Sequence, residues 1–255
     1  MIGVTIGVNP IYKELAKLSA RCFEEMTGLE VIILGEKEFM KSGLPHPASL
    51  KLAIFDLVNK ENILYFDADW FCTKKWNPII FNNKKAITAC NDFVLNCDWP
   101  NQYENYDNAK FHNYHLDNFS SHLFSETRND YINEIKSFSG IKSEYDKWIN
   151  TGLWIANRAY HKEWLNKSME YYIGFVGHHS EYYEQPAMNL AIEKLGIEVN
   201  YLSRTYNTLV ATRDKWPPYL LGLHVKVKHH QKFLSKVLAG EIKNVKQVQD
   251  FFYDK

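Results

Sequence analysis

Two aspartates separated by one alanine follow the apolar run at residues 63–66. A continuous run of β-favouring residues is typical of a buried strand in a parallel sheet. We therefore expect Asp67 and Asp69 at the carboxyl end of a strand, where open α/β sheets bind their ligands. Two carboxylates this close repel each other unless a positive group joins them. The pattern predicts a divalent cation, and oxygen ligands favour Mg²⁺ or Mn²⁺.

Bulk composition is that of a globular protein and weighs against two classes of function. The 255 residues include 30 basic and 30 acidic side chains, so no net charge attracts nucleic acid or an anionic membrane. The four cysteines show no CxxC pair and no zinc-type spacing, which suggests buried thiols in a reducing compartment. No apolar run approaches the ~20 residues of a membrane span, and no signal sequence opens the chain. We expect a cytoplasmic protein with no transmembrane segment and no nucleic-acid partner.

The first 90 residues alternate between strand and helix patterns. Apolar residues recur at three- and four-residue steps over residues 12–26, which predicts an amphipathic helix that ends at Gly28. A second helix is predicted over residues 49–58. The predicted strands are residues 3–8, 30–34, 63–66 and 86–90. This β-α-β order implies right-handed crossovers, and it predicts an α/β fold with a mixed, mostly parallel sheet flanked by helices.

The periodic pattern stops in the middle of the chain. Residues 95–147 are rich in Asn, Asp, Tyr, His and Ser, and an irregular stretch of this length inside a domain is usually functional or partly mobile. A solvated insertion without a role is the alternative. The tail 241–255 has helical spacing, and we expect it to pack on the surface. No linker composition interrupts the chain, so we predict one domain over residues 1–255 with 95–147 as an irregular insertion. The other elements predicted here are a strand at 148–156 and helices at 159–172 and 186–195.

Three further motifs follow the Asp-Ala-Asp element along the chain. They are Asn150-Thr151-Gly152, Glu184-Gln185 with Asn189, and His224 after Leu-Gly-Leu. In this order the four motifs resemble those of nucleotide-sugar-dependent glycosyltransferases of the GT-A fold. An Asp-x-Asp pair alone occurs often by chance, whereas the ordered set spans most of the chain and is more specific. The resemblance implies a GT-A (Rossmann-like) fold, a nucleoside-diphosphate-sugar donor and a divalent metal.

The resemblance also implies roles for the residues around the metal. Asp69 is expected to bind the metal directly, while Asp67 binds the donor ribose or reaches the metal through water. His224 is expected to complete the ligand set, and an imidazole ligand favours Mn²⁺ over Mg²⁺. Related proteins often have a glycine after this histidine, and here none follows. His229 and His230 therefore remain alternatives to His224.

Other residues are expected to bind the donor. In the GT-A fold the first strand approaches the nucleotide base, which implicates Val8 and Asn9. Lys51 matches a basic residue that faces the donor phosphate or sugar. Asn150 and Thr151 are expected to hydrogen-bond the donor sugar or the acceptor.

Two lysines follow His224 at alternating positions. Lys226 and Lys228 could screen the diphosphate, since an ammonium group binds phosphate as a point charge. The same alternation also fits lysines exposed on the outer face of a strand.

Glu184 and Gln185 are the candidate catalytic residues. In an inverting transfer, Glu184 would deprotonate the acceptor hydroxyl as general base. In a retaining transfer, Gln185 would lie beside the anomeric carbon and stabilise its positive charge. The resemblance leans toward retention. Glu184 also precedes Pro186 at a predicted helix start, where an acid stabilises the helix dipole.

The motifs together predict a metal-dependent glycosyltransferase that uses a nucleoside-diphosphate sugar, with UDP-sugar as the expected donor. The expected acceptor is a glycan or a protein-linked sugar, on the side of residues 95–147. A sugar-nucleotide pyrophosphorylase is an alternative, but residues 1–15 lack its glycine-rich basic loop. A phosphatase with an Asp-x-Asp strand would need Thr or Val at Phe71. A non-catalytic nucleotide-sugar or carbohydrate-binding module, retaining the acids without turnover, is the non-enzymatic alternative.

Overall fold

The computed structural model describes most of the chain outside its central segment. The residues described are 1–91, 148–175, 184–210, 216, 218–225, 227 and 230–253. The predicted insertion at 95–147 lies outside them, as do Lys226, Lys228, His229 and Cys97.

Strands in the described residues form two sheets. The strands are β1 (Ile2–Ile6), β2 (Val31–Leu34), β3 (Asn62–Phe66), β4 (Trp70–Cys72), β5 (Ile87–Asn91), β6 (Ile149–Asn157), β7 (Val199–Leu202), β8 (Thr208–Val210) and β9 (Gly222–Val225). The larger sheet has the order β2-β1-β3-β6-β5-β7, and the smaller one has the order β4-β9-β8. Strand β6 runs antiparallel to both of its neighbours, while the other pairs of the larger sheet are parallel. This confirms the predicted mixed, mostly parallel α/β sheet.

The helices of the described residues are α1 (Pro10–Thr27), α2 (Glu36–Ser42), α3 (Ile54–Leu57), α4 (Arg158–Phe175), α5 (Glu184–Leu195), α6 (Gln231–Leu238) and α7 (Val245–Phe252). Helices flank the larger sheet as predicted, while α6 and α7 pack against the smaller sheet. In the part of the chain that the structure describes, short 3₁₀ helices cover Pro47–Ala53, Pro78–Phe81 and Arg204–Tyr206.

Helix α1 begins and ends where its sequence signals lie. The Asn9 side chain accepts a hydrogen bond from the Tyr12 N–H at 2.9 Å, and Pro10 occupies the first turn, where no backbone donor is needed. Gly28 ends the helix with a φ of 72°, a left-handed conformation that glycine adopts without steric cost. The helix predicted over residues 12–26 is therefore confirmed.

The helix predicted over residues 49–58 has a different geometry. Its first part is the 3₁₀ helix Pro47–Ala53, and only Ile54–Leu57 is α-helical. Leu50, Lys51 and Leu52 are all buried, because this segment packs between β1, α2 and α4. A segment enclosed on several sides shows no amphipathic stripe, which is why periodicity did not distinguish the two helix types.

The tail forms the helix that its spacing predicts; its apolar face packs on the smaller sheet, and its other face is exposed. Val248 and Phe252 of α7 are fully buried and belong to a core shared with α1, α6 and the smaller sheet. A three-stranded sheet needs such cover on its apolar face. Its strands have only three or four residues each, too short to show a pattern in the sequence.

The helices and cysteines bear on the expectations about membrane spans and thiols. No helix among the described residues is both long and apolar enough to cross a bilayer. Cys22, Cys72 and Cys90 are buried, as predicted, and Cys22 and Cys72 are free thiols. Burial raises the pKa of Cys72 to about 12, which keeps this thiol protonated and unreactive at neutral pH.

Truncating Phe252 tests the burial of the tail. We expect Phe252→Ala to lower the free energy of unfolding by about 3–5 kcal/mol, since the ring is fully buried against Phe233. Urea denaturation measures the loss. Lys246→Ala on the exposed face of α7 is the control, with an expected change within about 0.5 kcal/mol. Equal small effects of both substitutions would contradict the burial.

Candidate active site

Asp67 and Asp69 lie where the chain crosses from the larger sheet to the smaller one. The Asp67 N–H donates to the Gly152 carbonyl of β6 at 2.9 Å. The Asp69 carbonyl accepts from the Val225 N–H of β9 at 2.8 Å. Each aspartate backbone is thus bonded to a different sheet. The turn that presents the two carboxylates is fixed on both sides.

His224 reaches the two acids through strand pairing. Strands β4 and β9 are antiparallel, and Trp70 pairs with His224. His224 Nε2 lies 3.3 Å from Asp69 Oδ1 and 3.7 Å from Asp67 Oδ2. One ligand atom from each of the three residues lies within 4.8 Å of the others. Of the alternative histidines, His229 is outside the described residues. His230 packs against Phe252 of the core that α7 shares with the smaller sheet.

Gly152 leaves the space that this cluster needs. A Cβ atom at this position would lie 2.6 Å from His224 Cε1 and 2.9 Å from Asp67 Oδ2. Real Cβ atoms are not found at such distances, so a larger residue would push the histidine or the aspartate away. Sequence analysis noted Gly152 only as part of a motif. Its steric role depends on residues far away in the chain.

Lys51 is a buried cation shared by two carboxylates. Its side chain is 3% exposed, and Nζ lies 3.2 Å from Asp67 Oδ1 and 3.3 Å from Glu184 Oε1. Burial lowers the pKa of Lys51, but the two carboxylates raise it by more, so the net pKa is above its usual value. The ammonium therefore stays charged at neutral pH. It links the end of β3 to the start of α5.

Two tyrosines also approach the acids. The Tyr65 hydroxyl donates to Asp67 Oδ1 at 2.6 Å, and burial together with Asp67 raises its pKa well above the usual value. Tyr12, in the first turn of α1, is 40% exposed. Burial and then the charges of Asp69 and Asp67 raise the pKa of Tyr12 to about 12, so its phenol stays neutral. No sequence motif indicated Tyr12, although a residue in the first turn of the helix after β1 lies near the carboxyl end of that strand.

Comparison with solved structures identifies the fold. An active-site mutant of LgtC superposes with a TM-score of 0.54 at 12% identity, over 94% of this chain and 96% of that one. The galactosyltransferase LgtC in complex with donor and acceptor sugar analogues gives 0.53 at 12% identity over the same shares. The glycosyltransferase GlyE of Streptococcus pneumoniae TIGR4 gives 0.52 at 11% identity, over 95% of this chain and 64% of that one. The chain has the GT-A glycosyltransferase fold. No protein-family model and no curated protein matches the sequence.

Within this GT-A fold, the acid cluster has the composition of a divalent metal site. Two carboxylates and one imidazole offer ligand atoms close enough to share one ion. At neutral pH the carboxylates of Asp67, Asp69 and Glu184 outnumber the Lys51 ammonium by two formal charges. A divalent cation offsets that excess.

Gln185 and Asn189 join helix α5 to strand β6. Gln185 Oε1 accepts hydrogen bonds from the Thr151 N–H at 3.2 Å and from the Thr151 hydroxyl at 3.4 Å. Asn189 binds both the N–H and the carbonyl of Ile149, at 2.7 and 3.0 Å. The amide side chains dock the first turns of α5 on the strand. The sequence element Glu-Gln-x-x-x-Asn thus has a positional role in addition to any chemistry.

The residues predicted to contact the nucleotide lie just beyond β1. Val8 is half-buried and packs against the larger core, while the Asn9 side chain caps α1. Gly7 allows the chain after β1 to lie close to helix α1, because a Cβ at Gly7 would be 2.9 Å from the Ala16 Cβ. A nucleotide-binding role for Val8 and Asn9 stays a prediction, and Lys228 lies outside the described residues.

Replacing Lys51 with Met tests its role as a shared cation. We expect the free energy of unfolding to fall by about 3–5 kcal/mol at neutral pH, because two carboxylates lose their partner. The deficit relative to wild type should shrink on acidification, as protonated carboxylates need no cation. The titration of Lys51 itself acts at the alkaline end of the pH range. Because its pKa is raised on folding, the stability that comes from its charge is fully present below the unfolded pKa of about 10.4, as long as the carboxylates are ionised. It is lost only as pH rises through the higher folded value.

Urea denaturation between acidic and neutral pH measures these effects. Lys162→Met is the matched control, since Lys162 forms an ion pair with Asp56 while both side chains are exposed. The expected loss there is only about 0–1 kcal/mol. A Lys51→Met effect as small as the control, or one independent of pH, would contradict the shared ion pair.

Proposed function

We propose that the protein is a metal-dependent glycosyltransferase that moves a sugar from a nucleoside-diphosphate sugar to an acceptor. The observation that supports this most strongly is the convergence of Asp67, Asp69 and His224 at the end of β3 in a GT-A fold. The expected donor is a UDP-sugar, and the expected acceptor is a glycan or a protein-linked sugar. LgtC, a galactosyltransferase whose structure contains donor and acceptor sugar analogues, supports this choice of substrate class.

In this proposal, Asp69 and His224 hold the metal with Asp67. Asp67 Oδ1 already accepts from Tyr65 and lies beside the Lys51 ammonium, whereas Oδ2 faces His224. Oδ2 is thus the Asp67 oxygen suited to the ion. The bound ion would act as a Lewis acid that offsets the charge developing on the diphosphate leaving group. Mn²⁺ is the proposed ion, with Mg²⁺ as the substitute.

The environment of Glu184 supports a retaining reaction. A general base must accept a proton, and Glu184 would lose its ion pair with Lys51 by doing so. Its carboxylate is better suited to bind a hydroxyl group of the donor sugar. Gln185 is then the candidate residue beside the anomeric carbon, where an amide oxygen stabilises positive charge. Thr151 holds that amide in place from the strand side.

Removing a metal ligand tests the proposed activity. We expect Asp69→Asn to reduce Mn²⁺-dependent release of nucleoside diphosphate from a donor panel by about 100-fold or more, because several kcal/mol of charge stabilisation is lost. Asp56→Asn, which changes an exposed aspartate, is the control and should keep full activity. EDTA should abolish wild-type activity, and Mn²⁺ should restore it.

Two outcomes of this experiment would contradict the proposal. Full activity of Asp69→Asn in the presence of Mn²⁺ would mean that the metal site is elsewhere. Donor binding by the wild type without any release, detected as thermal stabilisation, would instead favour a nucleotide-sugar-binding module.

The stereochemistry of the product tests the role of Glu184. We expect the anomeric configuration of the donor to be retained, which ¹H NMR of the anomeric proton in the product reports. Glu184→Gln should mainly raise the KM for the donor if the carboxylate binds a sugar hydroxyl. An inverted product, together with a loss of kcat in Glu184→Gln at unchanged KM, would show that Glu184 is the general base.

A further inference from the structure

A buried asparagine outside the predicted motifs contacts the candidate site. Asn207 lies just before β8 and is 4% exposed. Its Nδ2 atom donates to Asn150 Oδ1 at 2.9 Å. Asn150 lies two residues before Gly152 on β6, so both residues share the face of the strand that borders Asp67 and His224. Asn207 therefore contacts the wall of the site from the smaller sheet.

The orientation of both amide groups is determined by the backbone. The Gly152 N–H donates to Asn150 Oδ1 at 2.9 Å, so the Asn150 oxygen must face this fixed donor. Asn207 must then present its Nδ2 to Asn150 Oδ1, because the Asn207 Oδ1 atom in that place would repel the Asn150 oxygen. Two N–H groups thus occupy Asn150 Oδ1. The remaining hydrogen-bonding capacity of the Asn150 side chain is that of its Nδ2, which can only donate.

One cost of this arrangement points to a role beyond packing. Asn207 Oδ1 is buried and has no hydrogen-bond partner among the described residues. An unpaired buried acceptor destabilises a fold, and a residue of similar size without polar atoms would avoid the cost. Asn150, by contrast, is 8% exposed, and no described residue accepts from its Nδ2. The polar pair leaves an oriented donor at the site while one of its own atoms goes unsatisfied.

We propose that Asn207 is a positioning residue that orients Asn150 as a hydrogen-bond donor to an oxygen atom of the nucleotide sugar. This inference depends on the proposed function. The oxygen belongs either to the sugar or to the diphosphate, both of which offer acceptors. Asn207 itself does not contact the donor. Its effect on binding passes through Asn150.

A double-mutant cycle tests this coupling. The variants are Asn150→Ala, Asn207→Ala and the double variant, with Asn200→Ala on the exposed face of β7 as control. Dissociation constants are measured for UDP-glucose, UDP-galactose and UDP, each with Mn²⁺. We expect each single variant to weaken UDP-sugar binding by about tenfold, and the double variant to be no weaker than either one. Loss for UDP-sugar alone assigns the contact to the sugar, and equal loss for UDP assigns it to the diphosphate.

Two further measurements separate this inference from the proposed function. Asn207→Asp keeps the shape but places an oxygen against Asn150 Oδ1, so it should weaken binding at least as much as Asn207→Ala. Urea denaturation without any ligand should show non-additive effects of the Asn150 and Asn207 substitutions, whatever the protein binds. Unchanged UDP-sugar affinity in Asn207→Ala, or additive losses in the double variant, would overturn the inference. A wild type that binds none of the three nucleotides, with the ligand-free coupling intact, would instead refute the proposed function and the donor role of Asn150 with it.

Discussion

The site depends on one buried ammonium that pairs with partly buried negative charges from two distant elements. Asp67 at the end of β3 and Glu184 at the start of α5 belong to elements far apart in the chain, and both contact the Lys51 ammonium. A buried ammonium is costly alone, and the partly buried carboxylates gain from a positive partner, so the three groups favour the one arrangement in which they meet. Asp69 lies outside this pairing. The negative charge of Asp69, and the part of the Asp67 and Glu184 charge that Lys51 does not balance, could be compensated by a cation from solution.

The local parts of this arrangement could be predicted from the sequence. Asp67 and Asp69 stand directly after a continuous apolar run, and Asn9, Pro10 and Gly28 bound a periodic helix. Such signals lie within a few residues of the feature they determine, so no knowledge of distant contacts is needed. The α/β class followed from the order of these elements. The ordered motifs, through resemblance to glycosyltransferases, indicated the GT-A form of that class.

The non-local parts could not be predicted by the same means. His224 faces the acids because β4 and β9 pair, and each has only three or four residues with no pattern of its own. Gly152 matters because His224 and Asp67 border it, and Asn207 because it bonds Asn150 across 57 residues. The spacing of the tail predicted its helix, whereas the smaller sheet that it covers was not visible in the sequence.

In the proposed metal site, metal affinity and folding stability would be linked. Asp69 and His224 approach each other only when the smaller sheet has formed, so the ligand set does not exist in the unfolded chain. A cation that binds only the folded state stabilises it in proportion to the logarithm of its concentration above the dissociation constant. The same ion relieves the repulsion between Asp67 and Asp69 that folding creates. The smaller sheet, with the α7 helix that covers it, holds a histidine beside an acid pair whose repulsion would otherwise be unfavourable.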